Sequence, residues 1–224
     1  MPTLAEALKS ALWARTLAPA ELERVQAEVL ERAVPAGGYA CREGEPVEHW
    51  IGVVEGLVKL GVVSVEGKAA SLAGVPTGGW FGEGSLLRTE RRRYDAVALR
   101  DSRIAFMPRA TFQRLLDTNI GFNRFLLDQL NERLGQFIGM LAHERLLDPD
   151  ARVARCLGTL FNTFLYPGVT EKLTISQEEI GYLSGVSRQR VNQALRVLED
   201  ARLLRVEYGG VHVLDAAALR TYGG

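Results

Sequence analysis

Cysteine and histidine are scarce in this chain. Its 224 residues hold two cysteines, Cys41 and Cys156, and three histidines, His49, His143 and His212. Two thiols far apart in sequence do not make a disulfide framework. No histidine lies near another or near a cysteine pair, so no zinc site or iron–sulfur cluster is expected. Long apolar runs are missing too: none approaches the ~18 residues of a membrane-spanning helix. The segment Met1 to Pro19 lacks the basic start, apolar block and small-residue cleavage site of a signal peptide. It reads as a short helix, and a cytoplasmic protein is expected. Nor is there an excess of charge of either sign. Lys+Arg and Asp+Glu both number 27. Many nucleic-acid binders are more basic, so any DNA affinity must come from a local patch.

What is present is an ordinary globular mixture, 47% apolar and 24% charged, in a chain long enough for two small domains. Pro19 suits a first helical turn, and Leu22, Val25 and Val29 share one face over Glu21 to Glu31. From Ala33 to Met107 glycine recurs between short runs of valine, leucine and isoleucine. These runs are Trp50 to Val54, Leu57 to Val63, Ala96 to Leu99 and Ile104 to Met107. That spacing predicts a β-sandwich or roll, with a hairpin tip at Val65 to Lys68. Pro108 begins a helix carrying Phe112, Leu115 and Leu116. From Ile120 to Leu147 a longer pattern places Leu127, Leu130, Leu134, Phe137 and Leu141 at alternating spacings of three and four. This is the seam of a coiled coil, or one face of a helix buried within a monomer. Phe122, Phe125, Leu126 and Ile138 widen the stripe toward the β region. Asp148-Pro149-Asp150 breaks the pattern. A new helix over Arg152 to Phe164 buries Val153, Cys156, Leu157 and Leu160, and Leu165 to Gly168 is a turn. The expected division is a β-roll over 1–117, a dimerisation helix over 118–147 and a third unit over 148–224.

The third unit holds the motif with the clearest chemistry. Ser176 and Glu179 form a capping box, and Ile180 and Leu183 are the apolar side of that short helix. Gly185 ends it with a left-handed turn, and Val186 plugs the corner. Ser187 caps a second helix, whose inner face is Val191, Ala194, Leu195 and Leu198. Its outer face offers Arg188, Gln189, Arg190, Asn192 and Gln193. Arginine suits guanine edges, and asparagine or glutamine suits adenine. No acid lies between Ser187 and Val197, so the local patch is basic. Base contacts belong to the first turn of such a helix, with Ser176 and Gln177 alongside at the start of the preceding one. A solvated helical hairpin would also have a polar face. After Leu204, Arg205 to Tyr208 and Val211 to Leu214 flank Gly209-Gly210, a hairpin wing, and His212 falls in its strand.

With these residues in view, the chain resembles the superfamily of the cyclic AMP receptor protein and the fumarate–nitrate regulator, the CRP/FNR type. The likeness rests on the order of units, on Phe81-Gly82-Glu83-Gly84-Ser85, and on Ile175 to Gly181 with Gly185, Ser187-Arg188 and Leu198-Glu199-Asp200. It implies an α+β fold: an N-terminal antiparallel β-roll of the cyclic-nucleotide-binding kind, a long dimerisation helix and a C-terminal winged helix-turn-helix. It also implies a homodimer on near-palindromic double-stranded DNA, with RNA polymerase as a partner, and no enzyme activity. The roll would sense a signal and re-aim two recognition helices into grooves roughly 34 Å apart. In the cyclic-AMP-binding members a Gly-Glu pair holds the ribose and an Arg-Ser pair grips the phosphate. Gly82, Glu83 and Arg93 match, but Tyr94 stands at the serine. Phe137 and Ile138 replace two hydroxyl residues that read adenine. Cyclic AMP is therefore not expected as the effector, which stays unidentified; nucleotide binding retained through Glu83 and Arg93 is the alternative. Arg88, Arg91, Arg92 and Arg93 form either an anion site or a solvated loop. Haem ligation through His49, Cys41 or Pro2 is not supported by their spacing. Gln189 and Gln193 depart from the family's common Glu and Arg, which predicts a different half-site. The rival readings are a metal-binding barrel enzyme, short of histidines here, and a nucleotide module that controls a partner protein.

Overall fold

A computed structural model of the chain describes residues 2–223 except Val65, Lys68, Leu147 and Thr170, and only the backbone of residues 141–146. Helix α1 (Leu4–Ser10) starts at Thr3, whose side chain forms a capping box with Glu6. A 3-10 turn, Leu12–Thr16, then carries Trp13 into the core. Helix α2 (Pro19–Glu28) opens on proline as expected but stops short of Glu31. Its continuation is strand β1 (Leu30–Val34), which pairs with a later strand from Leu30↔Phe106 to Val34↔Ser102. Ladder bonding across the sheet overrides the helical spacing of the local sequence.

The glycine-punctuated region forms two four-stranded antiparallel sheets. Its strands are β2 (Tyr39–Cys41), β3 (His49–Glu55), β4 (Leu57–Val63), β5 (Ala69–Pro76), β6 (Trp80–Phe81), β7 (Asp95–Ala98) and β8 (Ser102–Pro108), with a short α3 (Glu83–Arg88) after β6. The sheet orders are β1-β8-β3-β6 and β2-β7-β4-β5. The β3–β4 reversal depends on Gly56 at φ +115°, where a Cβ would lie 2.2 Å from Ser102 Oγ. The tip between β4 and β5 includes Val65 and Lys68, which lie outside the described residues. Between the sheets lie Ile51, Val53, Val58, Leu60, Phe81, Ala96, Ala98, Ile104 and Phe106.

A second core forms where helices cover the roll. Helix α4 (Arg109–Thr118) and helix α5 (Ile120–Leu146) bring Phe112 and Phe122 against Trp13, Trp50 and Trp80. The Trp50 and Trp80 rings sit 4.6 Å apart. Such aromatic pairs add about 0.5–1.5 kcal/mol each beyond area burial. Along α5 the roll-facing side is Phe122, Phe125, Leu126, Gln129 and Arg133, all buried. The opposite side exposes Leu127 at 67%, Leu134 at 59% and Ile138 at 60%.

The C-terminal unit begins with α6 (Pro149–Leu160), capped by Asp148 Oδ1 accepting from the Ala151 amide at 2.9 Å. This helix ends before the expected Phe164. Asn162 Oδ1 instead accepts from the Phe164 and Leu165 amides at 3.0 and 2.9 Å, folding the chain into a turn. Strand β9 (Lys172–Thr174), helix α7 (Gln177–Ser184), helix α8 (Arg188–Asp200) and the hairpin β10 (Leu204–Glu207) and β11 (Gly210–Val213) follow. Strand β9 joins the hairpin as a third strand, in the order β10-β11-β9. A last helix, α9 (Ala216–Thr221), closes over α6, where a Cβ on Gly158 would lie 2.9 Å from the Arg220 nitrogen.

This unit packs on the roll through α7. A Cβ on Gly74 of β5 would meet Leu183 at 2.8 Å and Leu160 at 2.9 Å. Arg100, in the β7–β8 turn, donates from Nη2 to Glu179 Oε1 at 2.7 Å and from Nη1 to the Thr174 carbonyl at 2.5 Å.

Candidate DNA interface and effector chamber

The local sequence builds the helix-turn-helix as read. The Ser176 hydroxyl accepts from the Glu179 amide at 3.2 Å while Glu179 Oε2 accepts from the Ser176 amide at 2.6 Å. Gly185 takes φ +64°, and Arg152 donates to the Ser184 carbonyl at 2.8 Å and to the Gly185 carbonyl at 3.3 Å. The Ser187 hydroxyl accepts from the Arg190 amide at 3.4 Å and starts α8. Val191, Ala194, Leu195 and Leu198 are buried in one cluster with Leu157, Leu173, Ile180 and Leu204. The outer face then falls out of the period. Ser176, Ser187, Arg188, Gln189 and Gln193 are exposed, and Gln177 and Asn192 are half-buried.

Arg190 differs from its neighbours. Its guanidinium pairs with Asp150 of α6, with Nη1 2.8 Å from Oδ1, and so ties two helices together while its side chain stays partly exposed. Nothing within α8 signals this, because the partner lies forty positions earlier in the chain. At the wing tip Tyr208 is fully exposed, and His212 lies 3.5 Å from Glu171 and 3.8 Å from Glu207.

Inside the roll the structure gathers only part of the expected effector set. Gly82 has φ +90°, and a Cβ there would lie 2.1 Å from Arg92 Nη1, so the position requires glycine. Glu83 is buried at 2% exposure. Its Oε1 accepts from Arg133 Nε of α5 at 2.9 Å, and its Oε2 from Trp50 Nε1 at 3.3 Å. Arg133 also donates to the Trp80 carbonyl. Burial opposes the Arg133 charge, but Glu83, with the Tyr166 and Tyr94 phenols, overrides this and raises its pKa. The Glu83 carboxylate is thus already satisfied by the protein.

Arg93 points away from this chamber. Its side chain is 69% exposed and pairs with Glu90, which Arg88 also contacts at 2.9 Å. The buried arginine is Arg92, which donates to the His49 carbonyl and, at 3.5 Å, to the Gly82 carbonyl. Arg92 and Arg93 therefore face different surroundings, one buried and one exposed. Arg91 donates to the Gly44 carbonyl at 2.8 Å. The four arginines therefore do not converge on one anion site.

Phe137 and Ile138 also separate. Ile138 lies on the exposed side of α5 with Leu127 and Leu134, and Leu130 is half-buried at its edge. Phe137, expected both in the seam and in the pocket, is half-buried and lines a cleft of about 500 Å3. The walls of that cleft are β5, α5, α6 and α7. The Leu141 side chain lies outside the described residues. Tyr94 packs at the edge of the roll core, and burial, with the Glu83 charge adding, pushes its phenol well above the ordinary range.

Both cysteines are free thiols. Burial pushes the Cys41 thiol up to about 11 and the Cys156 thiol up to about 12. Among the described residues no group of His, Cys, Asp and Glu could hold a metal ion, and no helix is long and apolar enough to cross a membrane. Sequence reading missed Arg133 and Tyr166, which reach the chamber from other elements.

Comparison with known proteins agrees with this arrangement in both halves. Residues 31–119 match the cyclic nucleotide-binding domain, and residues 151–222 match the Crp-like helix-turn-helix domain. The CRP-like cAMP-activated global transcriptional regulator of Mycobacterium tuberculosis (strain CDC 1551 / Oshkosh) is 29% identical over 188 residues, 83% of this chain and 84% of that protein. The cAMP-activated global transcriptional regulator CRP of Haemophilus influenzae is 27% identical over 176 residues, 76% of this chain and 77% of that one. The crystal structure of the Thermus thermophilus Catabolite Activator Protein is 27% identical and covers 95% of this chain and 96% of its own, with a TM-score of 0.51. FixK2 from Bradyrhizobium japonicum, at 20% identity, shares the fold with a TM-score of 0.70 over 88% of this chain and 98% of its own. A nucleotide-binding type of roll joined to a capped, Crp-like helix-turn-helix places this chain in the CRP/FNR superfamily of DNA-binding transcription regulators.

Proposed function

We propose that the chain acts in the cytoplasm as a homodimeric, sequence-specific regulator whose effector is not cyclic AMP. The observation that carries the DNA-binding reading is the outer face of α8. Arg188, Gln189 and Gln193 stand exposed beside the capped start of α7, with Asn192 half-buried and no acid before Asp200 other than Glu199 at the far end. Ser176, Gln177 and Ser187 suit backbone phosphates, and the α8 side chains suit base edges. The exposed stripe Leu127, Leu134 and Ile138, with Leu130 at its edge, supports dimerisation through α5. The working units are 1–117, 118–147 and 148–224, and RNA polymerase is the expected protein partner on the promoter.

Against cyclic AMP stand Tyr94 and Phe137, bulky where small polar donors are needed, and Arg93, turned outward onto Glu90. Each unmatched buried polar group costs a ligand about 1–3 kcal/mol. The retained Gly82-Glu83 pair, and relatives described as cAMP-activated, favour the second reading of a nucleotide-responsive regulator. Calorimetry of the pure protein separates the two. No heat of micromolar binding is expected with cyclic AMP, and clear micromolar binding establishes the second reading. A gel shift on the gene's own upstream DNA tests regulation itself, with affinity falling steeply as salt rises.

A further inference from the structure

The turn after α6 does more than connect two elements. Leu165 and Tyr166 belong by sequence to the DNA-binding unit, yet they are 2% and 1% exposed and sit in the core of the roll with Ile51, Val58, Val75 and Phe81. The fit is close on every side. A Cβ on Gly79 would lie 2.8 Å from Tyr166 Cδ1, and one on Gly78 would lie 2.6 Å from the Gly168 nitrogen. Phe164 stacks on Phe125 of α5 with ring centroids 5.6 Å apart. Asn162 shapes the turn from inside: its carbonyl accepts from the Tyr166 amide at 2.8 Å, and its Nδ2 donates to Glu132 of α5 at 3.1 Å. The Tyr166 phenol is hydrogen-bonded to the Arg133 side chain, which also donates to Glu83. Tyr166 lines the cleft beside β5 and α5, whereas Glu83 and Arg133 do not, so Tyr166 is the residue that borders both the cleft and the buried ion pair. Gln136 lines the same cleft, and its side chain is directed at the Tyr166 phenol.

We propose that residues 161–168 are a plug through which the DNA-binding unit senses the interior of the roll, Tyr166 holding the place that an effector reaching Arg133 and Glu83 needs. This rests on the regulator reading above. An occupant of the chamber expels the phenol, and with it the loop that seats α6 and α7 on β5. The plugged posture is the weaker DNA binder, because α7 is then held to the roll by Leu183 on Gly74 and by Arg100 on Glu179. Chamber and helix-turn-helix are thereby coupled through one two-state loop.

The test uses the full chain and two variants, Tyr166→Ala and Tyr166→Phe, read by hydrogen exchange and operator titration. In Tyr166→Ala the Phe164, Leu165 and Tyr166-position amides exchange about tenfold faster or more, while Val211 and Val213 in the wing keep their protection. Operator affinity without effector rises about fivefold or more, and Tyr166→Phe, which keeps the ring, falls between. Unchanged loop protection overturns the proposal, as does faster loop exchange with unchanged or weakened operator binding. Equal loss of protection in loop and wing also overturns it, since Tyr166 is then only part of the fold's general stability. A wild-type chain that binds no DNA sequence contradicts the regulator reading instead, and the exchange pattern still shows whether Tyr166 joins the two units.

Discussion

Arg188 and Arg190 stand two positions apart on the same helix and have different surroundings. Arg188 is exposed in the first turn of α8, whereas Arg190 is engaged 2.8 Å from Asp150. Replacing Arg188 by alanine should cost roughly 1–3 kcal/mol of operator binding if it meets a guanine edge. Arg190→Ala should weaken the α6–α8 contact and change operator affinity less. Anisotropy titrations of both variants check this, and equal losses would mean the ion pair opens on DNA. A second residue-scale prediction concerns Glu83. Glu83→Gln leaves the Arg133 charge buried without its partner, a loss of about 3–5 kcal/mol in other buried pairs. Thermal unfolding should show that loss, and adding Arg133→Met should recover much of it. If Glu83→Gln melts like the wild type, the pair is not set as described. Neither the Arg190 nor the Glu83 partnership was legible in the sequence. Both join residues tens of positions apart, and local spacing carries no information about such meetings. The burial of Arg92, beside Arg93 turned outward onto Glu90, is likewise set by partners distant in sequence, such as the His49 carbonyl.

At the scale of elements, local rules served well wherever the local signal was complete. Strand β4 occupies Leu57–Val63 as the apolar run predicts, and α7 and α8 begin at the serines that cap them. The misses fall at ends. Helix α2 gives way at Glu28 to ladder bonding with β8, and α6 gives way at Leu160 to the turn held by Asn162. Strand β9 and helix α9 are short, at 3 and 6 residues, too few for a periodic pattern to stand out. On α5 two sides could be read as apolar, and only packing tells them apart. Phe122 and Leu126 cover the roll, while Leu127, Leu134 and Ile138 stay exposed. If that exposed side is the seam, Leu134→Asp should shift the protein from dimer to monomer in sedimentation velocity and abolish tight operator binding. An unchanged dimer would place the interface elsewhere.

For the whole molecule, neutrality and DNA binding are compatible because charge is sorted locally. The outer face of α8 offers arginines and amides, while many acids are spent on internal pairs such as Arg100–Glu179, Arg103–Glu31 and Arg114–Glu28. The order of roll, long helix and winged helix-turn-helix was legible from glycine punctuation, a helical stripe and two serine caps. The chamber was legible only as a motif, Gly82-Glu83, because what fills it comes from α5 and from the turn after α6. The most direct measurement is a footprint of the pure protein on the DNA upstream of its own gene, with random DNA as competitor. Two protected half-sites centred one helical turn apart, roughly 34 Å, are expected, and Arg188→Ala should remove them. Protection that is absent, or that random DNA competes away equally well, would contradict a sequence-specific regulator.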